Sequence, residues 1–103
     1  MSTPRVLFWH RRDLRLTDNL GLAAAVAISP AVTGVYVLDP RVINPPEHLP
    51  PMAPARLWFL IESLLELQER WRDAGSRLLI LEGDPVQLLP QLAERIAAEA
   101  VVW

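Results

Sequence analysis

Arg5-Val6-Leu7-Phe8-Trp9 and Val32-Thr33-Gly34-Val35-Tyr36-Val37-Leu38 are the stretches that decide the fold. Both are short apolar runs rich in strand formers. Such runs belong to strands covered on both faces, as in a parallel sheet. Between them, Leu20–Ile28 is an Ala/Leu-rich helix. Thr17-Asp18-Asn19 supplies N-cap chemistry before it, and Ser29-Pro30 ends it. Gly34, inside the second run, points to a close backbone approach or a local bend.

Outward from this unit the alternation continues. Residues 39–53 contain Pro40, Pro45, Pro46, Pro50 and Pro51, a density that continues neither a helix nor a central strand, and they read as a long loop. Pro54 suits the first turn of the next helix. Leu57, Leu60, Ile61, Leu64, Leu67 and Trp71 then recur at helical spacing, with Glu62, Glu66, Glu69, Arg70 and Asp73 on the other side. Glu66 and Arg70 form an i,i+4 pair, worth about 0.2–0.5 kcal/mol. Gly75 is the C-terminal stop. Leu78–Leu81 is a third strand, and Asp84-Pro85 opens a helix whose apolar face is Leu88, Leu89, Leu92 and Ile96. Pro90 implies a kink there or a later start. Residues 100–103 form a fourth strand in which the sequence stops. The fold class is therefore α/β, a Rossmann-like open parallel sheet with helices on both faces, truncated in the fourth strand. An end of this kind reads as an incomplete domain, and the exposed strand predicts self-association of the isolated piece.

The bulk properties suit one globular domain of 103 residues, 51% hydrophobic and 21% charged. A net charge of −2 gives no global attraction to nucleic-acid phosphates, so any action on DNA needs a basic surface from elsewhere. The absence of cysteine excludes disulfides, thiolate metal sites and Cys nucleophiles. His10 and His48 are far apart, which argues against zinc. No apolar run is long enough to span a bilayer and no secretory signal opens the chain, so a cytoplasmic location is expected.

In open parallel sheets, ligands bind beyond the carboxyl ends of the strands. The segments there, residues 10–15, 39–53 and 83–85, contain neither G-x-G-x-x-G nor a P-loop, which argues against a dinucleotide or P-loop site. His10-Arg11-Arg12-Asp13-Leu14-Arg15 is the densest charge cluster. Its arginines suit phosphates or carboxylates, and the plainer reading has Asp13 pairing with them. Asp39 closes the second strand and Arg56 opens the second long helix. An acceptor and a forked donor are thus available to flank a polar aromatic ligand, or to pair with each other as a salt bridge. Of the four tryptophans, Trp9, Trp71 and Trp103 read as core and Trp58, off the main stripe, as exposed or at an interface. No Ser/His/Asp set or carboxylate pair suggests hydrolysis. The residues alone describe an α/β binding domain with no evident reaction, and a stand-alone nucleotide-binding module is one alternative.

Phe8-Trp9-His10-Arg11-Arg12-Asp13-Leu14-Arg15-Leu16-Thr17-Asp18-Asn19, continued by Gly21-Leu22-Ala23-Ala24-Ala25, resembles the opening signature of the photolyase/cryptochrome family. Leu38-Asp39-Pro40, Met52-Ala53-Pro54-Ala55-Arg56, Ala74-Gly75-Ser76-Arg77-Leu78 and Glu82-Gly83-Asp84-Pro85 extend the resemblance over residues 1–103. They are most similar to the cyanobacterial, deazaflavin-class members. The proline-rich residues 41–51 look longer than in those relatives. The resemblance implies the N-terminal α/β antenna domain of a photolyase, without its C-terminal FAD-binding helical domain. A photolyase uses reduced FAD and blue light to split cyclobutane pyrimidine dimers in UV-damaged DNA. Its antenna chromophore, of the 8-hydroxy-5-deazaflavin type or else FMN or a folate, passes excitation energy to the FAD. Carried over by position, the chromophore contacts are Val37, Leu38, Asp39 and Arg56, with Tyr36 and Met52. No catalytic or metal site is expected in this segment, and the segment by itself is expected to be inactive. The resemblance assigns residues 10–15 to packing and the domain interface. A cryptochrome-type photoreceptor is the other reading within the family.

Overall fold

The computed structural model describes residues 4–11, 14, 16, 19–43, 45–47 and 49–103. The elements run β1 (Arg5–Trp9), α1 (Leu20–Ile28), β2 (Ala31–Leu38), α2 (Pro40–Ile43), α3 (Pro54–Asp73), β3 (Leu78–Glu82), α4 (Pro85–Arg95) and β4 (Ala98–Val102). The sheet order is β3-β2-β1-β4, with all neighbours parallel. Arg5 lies opposite Ala31 and Trp9 opposite Val35, while Gly34 lies opposite Leu78 and Leu38 opposite Glu82. The α/β class and the parallel sheet agree with the sequence. The fourth strand begins at Ala98 and closes at Val102, with Trp103 following it.

The chain steps from β1 to β2 to β3 in one direction, then returns to the far side of β1. Crossovers of uniform hand therefore place α1 and α3 on one face and α4 on the other. The core divides accordingly. Val6, Phe8, Val32 and Leu78 pack with Ala25 of α1 and with Leu67 and Trp71 of α3. Leu7, Val35 and Val37 pack with Leu89 of α4. Successive strand residues alternate between the two clusters, as a strand buried on both faces requires.

Gly34 lets Trp71 of α3 pack directly on the β2 backbone. A Cβ there would lie 2.6 Å from the Trp71 indole and 3.0 Å from Leu78. The Trp71 ring uses that space to reach His10, donating its indole N–H to His10 Nε2 at 3.0 Å. The His10 backbone N–H in turn donates to the Val35 carbonyl at 2.9 Å. His10 is thus a buried packing residue, and Arg11 beside it is exposed. Arg12, Asp13 and Arg15 of the charged signature lie outside the described residues, as do His48 and the Thr17 and Asp18 of the expected cap.

Asn19 caps α1, its side chain accepting the Leu22 N–H at 3.0 Å. Helix α3 ends at Gly75, whose φ of +87° is cheap only for glycine. The Ser76 N–H reaches the Trp71 carbonyl and the Gly75 N–H the Arg72 carbonyl, both at 3.0 Å, in a Schellman closure. The Glu66–Arg70 pair forms at 2.7 Å on the exposed side.

Two expectations about the helices are refined. Helix α4 runs through Pro90 from Pro85 to Arg95. Pro90 is exposed, as is Val86, the residue four before it, so the backbone bond that a proline removes lies on the solvent side of the helix. The apolar stripe of α3 is buried only at Leu64, Leu67 and Trp71, while Ile61 is 42% exposed. A helix of 20 residues is about 30 Å long, whereas the five-residue β3 covers about 16 Å. The first half of α3 therefore overhangs the carboxyl edge of the sheet, which leaves Trp58 and Phe59 exposed.

Candidate functional site

The carboxyl edge of the sheet is built from the exits of β2 and β3 under the overhanging start of α3. Residues 39–53 are not wholly irregular as expected, because Pro40–Ile43 makes one helical turn. Asp39 caps it, Oδ1 accepting the Arg41 N–H at 2.9 Å, and Pro40 takes the first position, where no N–H is needed. The Arg41 guanidinium folds back on the same carboxylate. Its Nε lies 3.1 Å from Oδ1 and its Nη2 lies 2.7 Å from Oδ2. Nη2 also reaches Asp84 Oδ1 at 3.5 Å. Asp84 caps α4 by accepting the Val86 N–H at 3.0 Å, and the Gly83 N–H donates to the Leu38 carbonyl at 3.0 Å. The exits of β2 and β3 are thus joined by one backbone bond and one arginine. The hydrogen bonds from Arg41 hold the Asp39 carboxyl below its ordinary range, and Asp39 raises the Arg41 guanidinium in return.

The sequence-predicted site residues fall into three groups. Tyr36, Val37, Leu38 and Asp39 are consecutive at the end of β2. Tyr36 and Leu38 are half-buried on the α3 face, and burial pushes the Tyr36 hydroxyl upward. The Val37 side chain instead points into the α4-side core, where it is buried with Leu7, Val35 and Leu89. Met52 is half-buried, and its N–H donates to the Ile43 carbonyl at 3.4 Å, returning the loop to the end of α2. Arg56 is exposed in the first turn of α3, which contains no acidic residue. The N-cap of that helix, Ala53, makes no side-chain bond. A guanidinium and the positive end of a helix thus coincide on the overhang, an arrangement that favours an anionic or electron-rich group. Among the described residues no ion pair joins Asp39 to Arg56. The salt bridge weighed from spacing is replaced by the Asp39–Arg41 pair, because Arg41 lies within reach of its own turn.

Sequence reasoning missed Arg41 and the bridging position of Asp84. The available signal was an arginine two residues after a strand-ending Asp, the spacing at which an Asx cap brings both groups together. It also missed the cluster at the exit of β1 beside β4. There Arg11 sits 4.9 Å over the Trp9 ring, and Trp9 meets Trp103 edge-on at 6.2 Å. Trp103 is 65% exposed, contrary to its reading as core. Trp71 is buried and Trp58 exposed, as expected. One groove of about 590 Å3 opens between α3 and β3 beside Gln68 and Arg72, and another of about 440 Å3 lies at the amino edge between Arg5 and Arg77. Neither is lined by Asp39 or Arg56. Among the described residues, no group of acidic, His or Cys side chains is arranged to hold a metal, and no helix is long and apolar enough to cross a membrane.

Comparison with known proteins gives this arrangement a context. Residues 6–103 match the DNA photolyase family model. The chain is 54% identical over 103 residues to a deoxyribodipyrimidine photo-lyase of Synechococcus sp., covering 100% of this chain and 20% of that protein. The crystal structure of a Synechocystis sp. PCC6803 cryptochrome aligns with a TM-score of 0.85 at 33% identity, over 99% of this chain and 22% of that one. An archaeal photolyase from Sulfolobus tokodaii aligns with a TM-score of 0.75 at 32% identity, over 95% of this chain and 22% of that one. That structure contains two FAD molecules, with the implication of a novel light-harvesting cofactor. This chain therefore spans about a fifth of the length of these relatives.

Proposed function

This chain belongs to the DNA photolyase family, and from that premise we propose that it is the antenna-chromophore domain of a deoxyribodipyrimidine photolyase, binding its chromophore at the exit of β2. The observation that carries this reading is the pairing of an acceptor edge with a cationic overhang. Asp39 ends β2 at the carboxyl edge, and Arg56 stands on an uncapped helix start with no acidic neighbour in its turn. This edge is read as the seat of a flat, polar aromatic molecule. Asp39 accepts from its donors, Arg56 faces its electron-rich edge, and Leu38, Tyr36 and Met52 supply half-buried contact. Val37 supports the strand from the core side.

An 8-hydroxy-5-deazaflavin is the chromophore we favour, since it offers both donors and acceptors at its ring edge, and FMN and folates are the competitors. When bound, such a group absorbs light and passes the energy on. The flavin and UV-damaged DNA belong to the remainder of a longer cytoplasmic protein, which supplies the repair chemistry and the basic surface that a chain of net charge −2 lacks. A photoreceptor role is the second reading, favoured by the close alignment with the Synechocystis cryptochrome.

The test is a fluorescence titration of the chain with 8-hydroxy-5-deazaflavin, FMN and a folate. The deazaflavin is expected to bind most tightly, and Asp39→Asn and Arg56→Gln are each expected to weaken it about tenfold, the loss of one charge-assisted hydrogen bond. Equal affinities for all three, unchanged in both variants, would overturn the assignment. A photorepair assay on the chain with added FAD is expected to show no dimer splitting.

A further inference from the structure

We propose that Arg41 is a latch on the chromophore site, holding the Asp39 carboxylate closed until a ligand donor displaces it toward Asp84. The proposal rests on the reading that Asp39 contacts the chromophore.

A carboxylate offers about four acceptor positions. In Asp39, Oδ1 receives the Arg41 N–H and Nε–H at 2.9 and 3.1 Å, and Oδ2 receives Nη2 at 2.7 Å and shares Nε at 3.2 Å. The side chain is also only 17% exposed, so little of it remains for a newcomer. Three N–H groups of Arg41 thus occupy most of the carboxylate, and a ligand N–H or O–H that engages both oxygens of Asp39 competes with the guanidinium for them.

The geometry makes that replacement inexpensive. The Arg41 side chain is 65% exposed, and exposed ion pairs are individually weak. A second carboxylate already stands within 3.5 Å of Nη2, that of Asp84. Its Oδ1 also caps α4, and among the described residues its Oδ2 accepts no hydrogen bond. The Gly83–Leu38 backbone bond holds the exits of β2 and β3 together, so both carboxylates stay within reach of one guanidinium. Arg41 can pivot from one to the other without leaving a charge unpaired. The latch also confers selectivity. A ligand presenting a donor at this position displaces Arg41, whereas one presenting only acceptors meets a closed Asp39.

The experiment measures 8-hydroxy-5-deazaflavin affinity for the chain and for three variants, with the Asp39 carboxyl pKa followed by carbon NMR without ligand. Arg41→Gln, which frees Asp39, is expected to bind about tenfold tighter, and its Asp39 pKa is expected to rise to the ordinary range. Asp84→Asn keeps the helix cap, since Asn caps as well as Asp, but removes the landing carboxylate. It is expected to bind several-fold more weakly. Asp39→Asn is expected to lose affinity and to abolish the gain from Arg41→Gln in the double variant. If Asp39→Asn weakens binding but Arg41→Gln leaves it equal or weaker, the latch is wrong and the chromophore reading stands. If the wild-type chain and Arg41→Gln both fail to bind, or binding ignores Asp39, the chromophore reading fails and takes the latch with it.

Discussion

Gly34 and Asp39 show how single residues set the edge on which the site stands. Trp71 lies where a Gly34 Cβ would be, and that same ring donates to His10. Gly34→Ala is expected to push the indole aside and destabilise the fold by about 1–3 kcal/mol, as overpacking does. Urea unfolding monitored by tryptophan fluorescence measures it. Asp39 governs the pH response. Its folded carboxyl lies below its ordinary value of 3.8, so the pair with Arg41 contributes above that value and is lost as pH falls through the lowered one. The difference in melting temperature between wild type and Arg41→Gln is expected to be present at neutral pH and absent once Asp39 is protonated. Gly34 was legible because a glycine inside an apolar strand is anomalous by itself. Arg41 was not, because its role depends on a cap that folds the chain back and on Asp84, distant in sequence.

At the scale of elements, periodicity identified β1, α1 and α3 closely, since their apolar patterns and caps agree. It failed where length rather than pattern decides. The apolar stripe of α3 runs past the end of the short strands it packs on, so Ile61 repeats at the right spacing and still faces solvent. Nothing local records how far the neighbouring strand extends. Pro90 is the converse, a residue whose local signal implied a kink or a later start, while the helix begins at Pro85 and runs through it, the position being exposed to solvent. Pro90→Ala restores an N–H there and is expected to stabilise the chain by about 1–3 kcal/mol, read as a raised thermal midpoint. The proline-dense residues 39–53 hid the α2 turn, since Pro40 both breaks the strand and begins the helix.

For the whole molecule, the order β3-β2-β1-β4 follows from alternation and connection rules once the turn back to β1 is known, and the sequence does not carry that turn. It separates α1 and α3 from α4 and, among the described residues, leaves the outer edge of β4 unpaired, beside an exposed Trp103. Unpaired edges template pairing with other strands, so the isolated chain is expected to self-associate with rising concentration in sedimentation velocity. A monomer throughout the range would contradict that. The central claim, a chromophore site at the exit of β2, is tested most directly by amide chemical-shift mapping of the chain during titration with 8-hydroxy-5-deazaflavin. The account predicts saturable shifts at Leu38, Asp39, Met52 and Arg56 and none at Arg5 or Arg77 on the amino edge. Shifts confined to the amino edge, or to the groove beside Gln68 and Arg72, would contradict it.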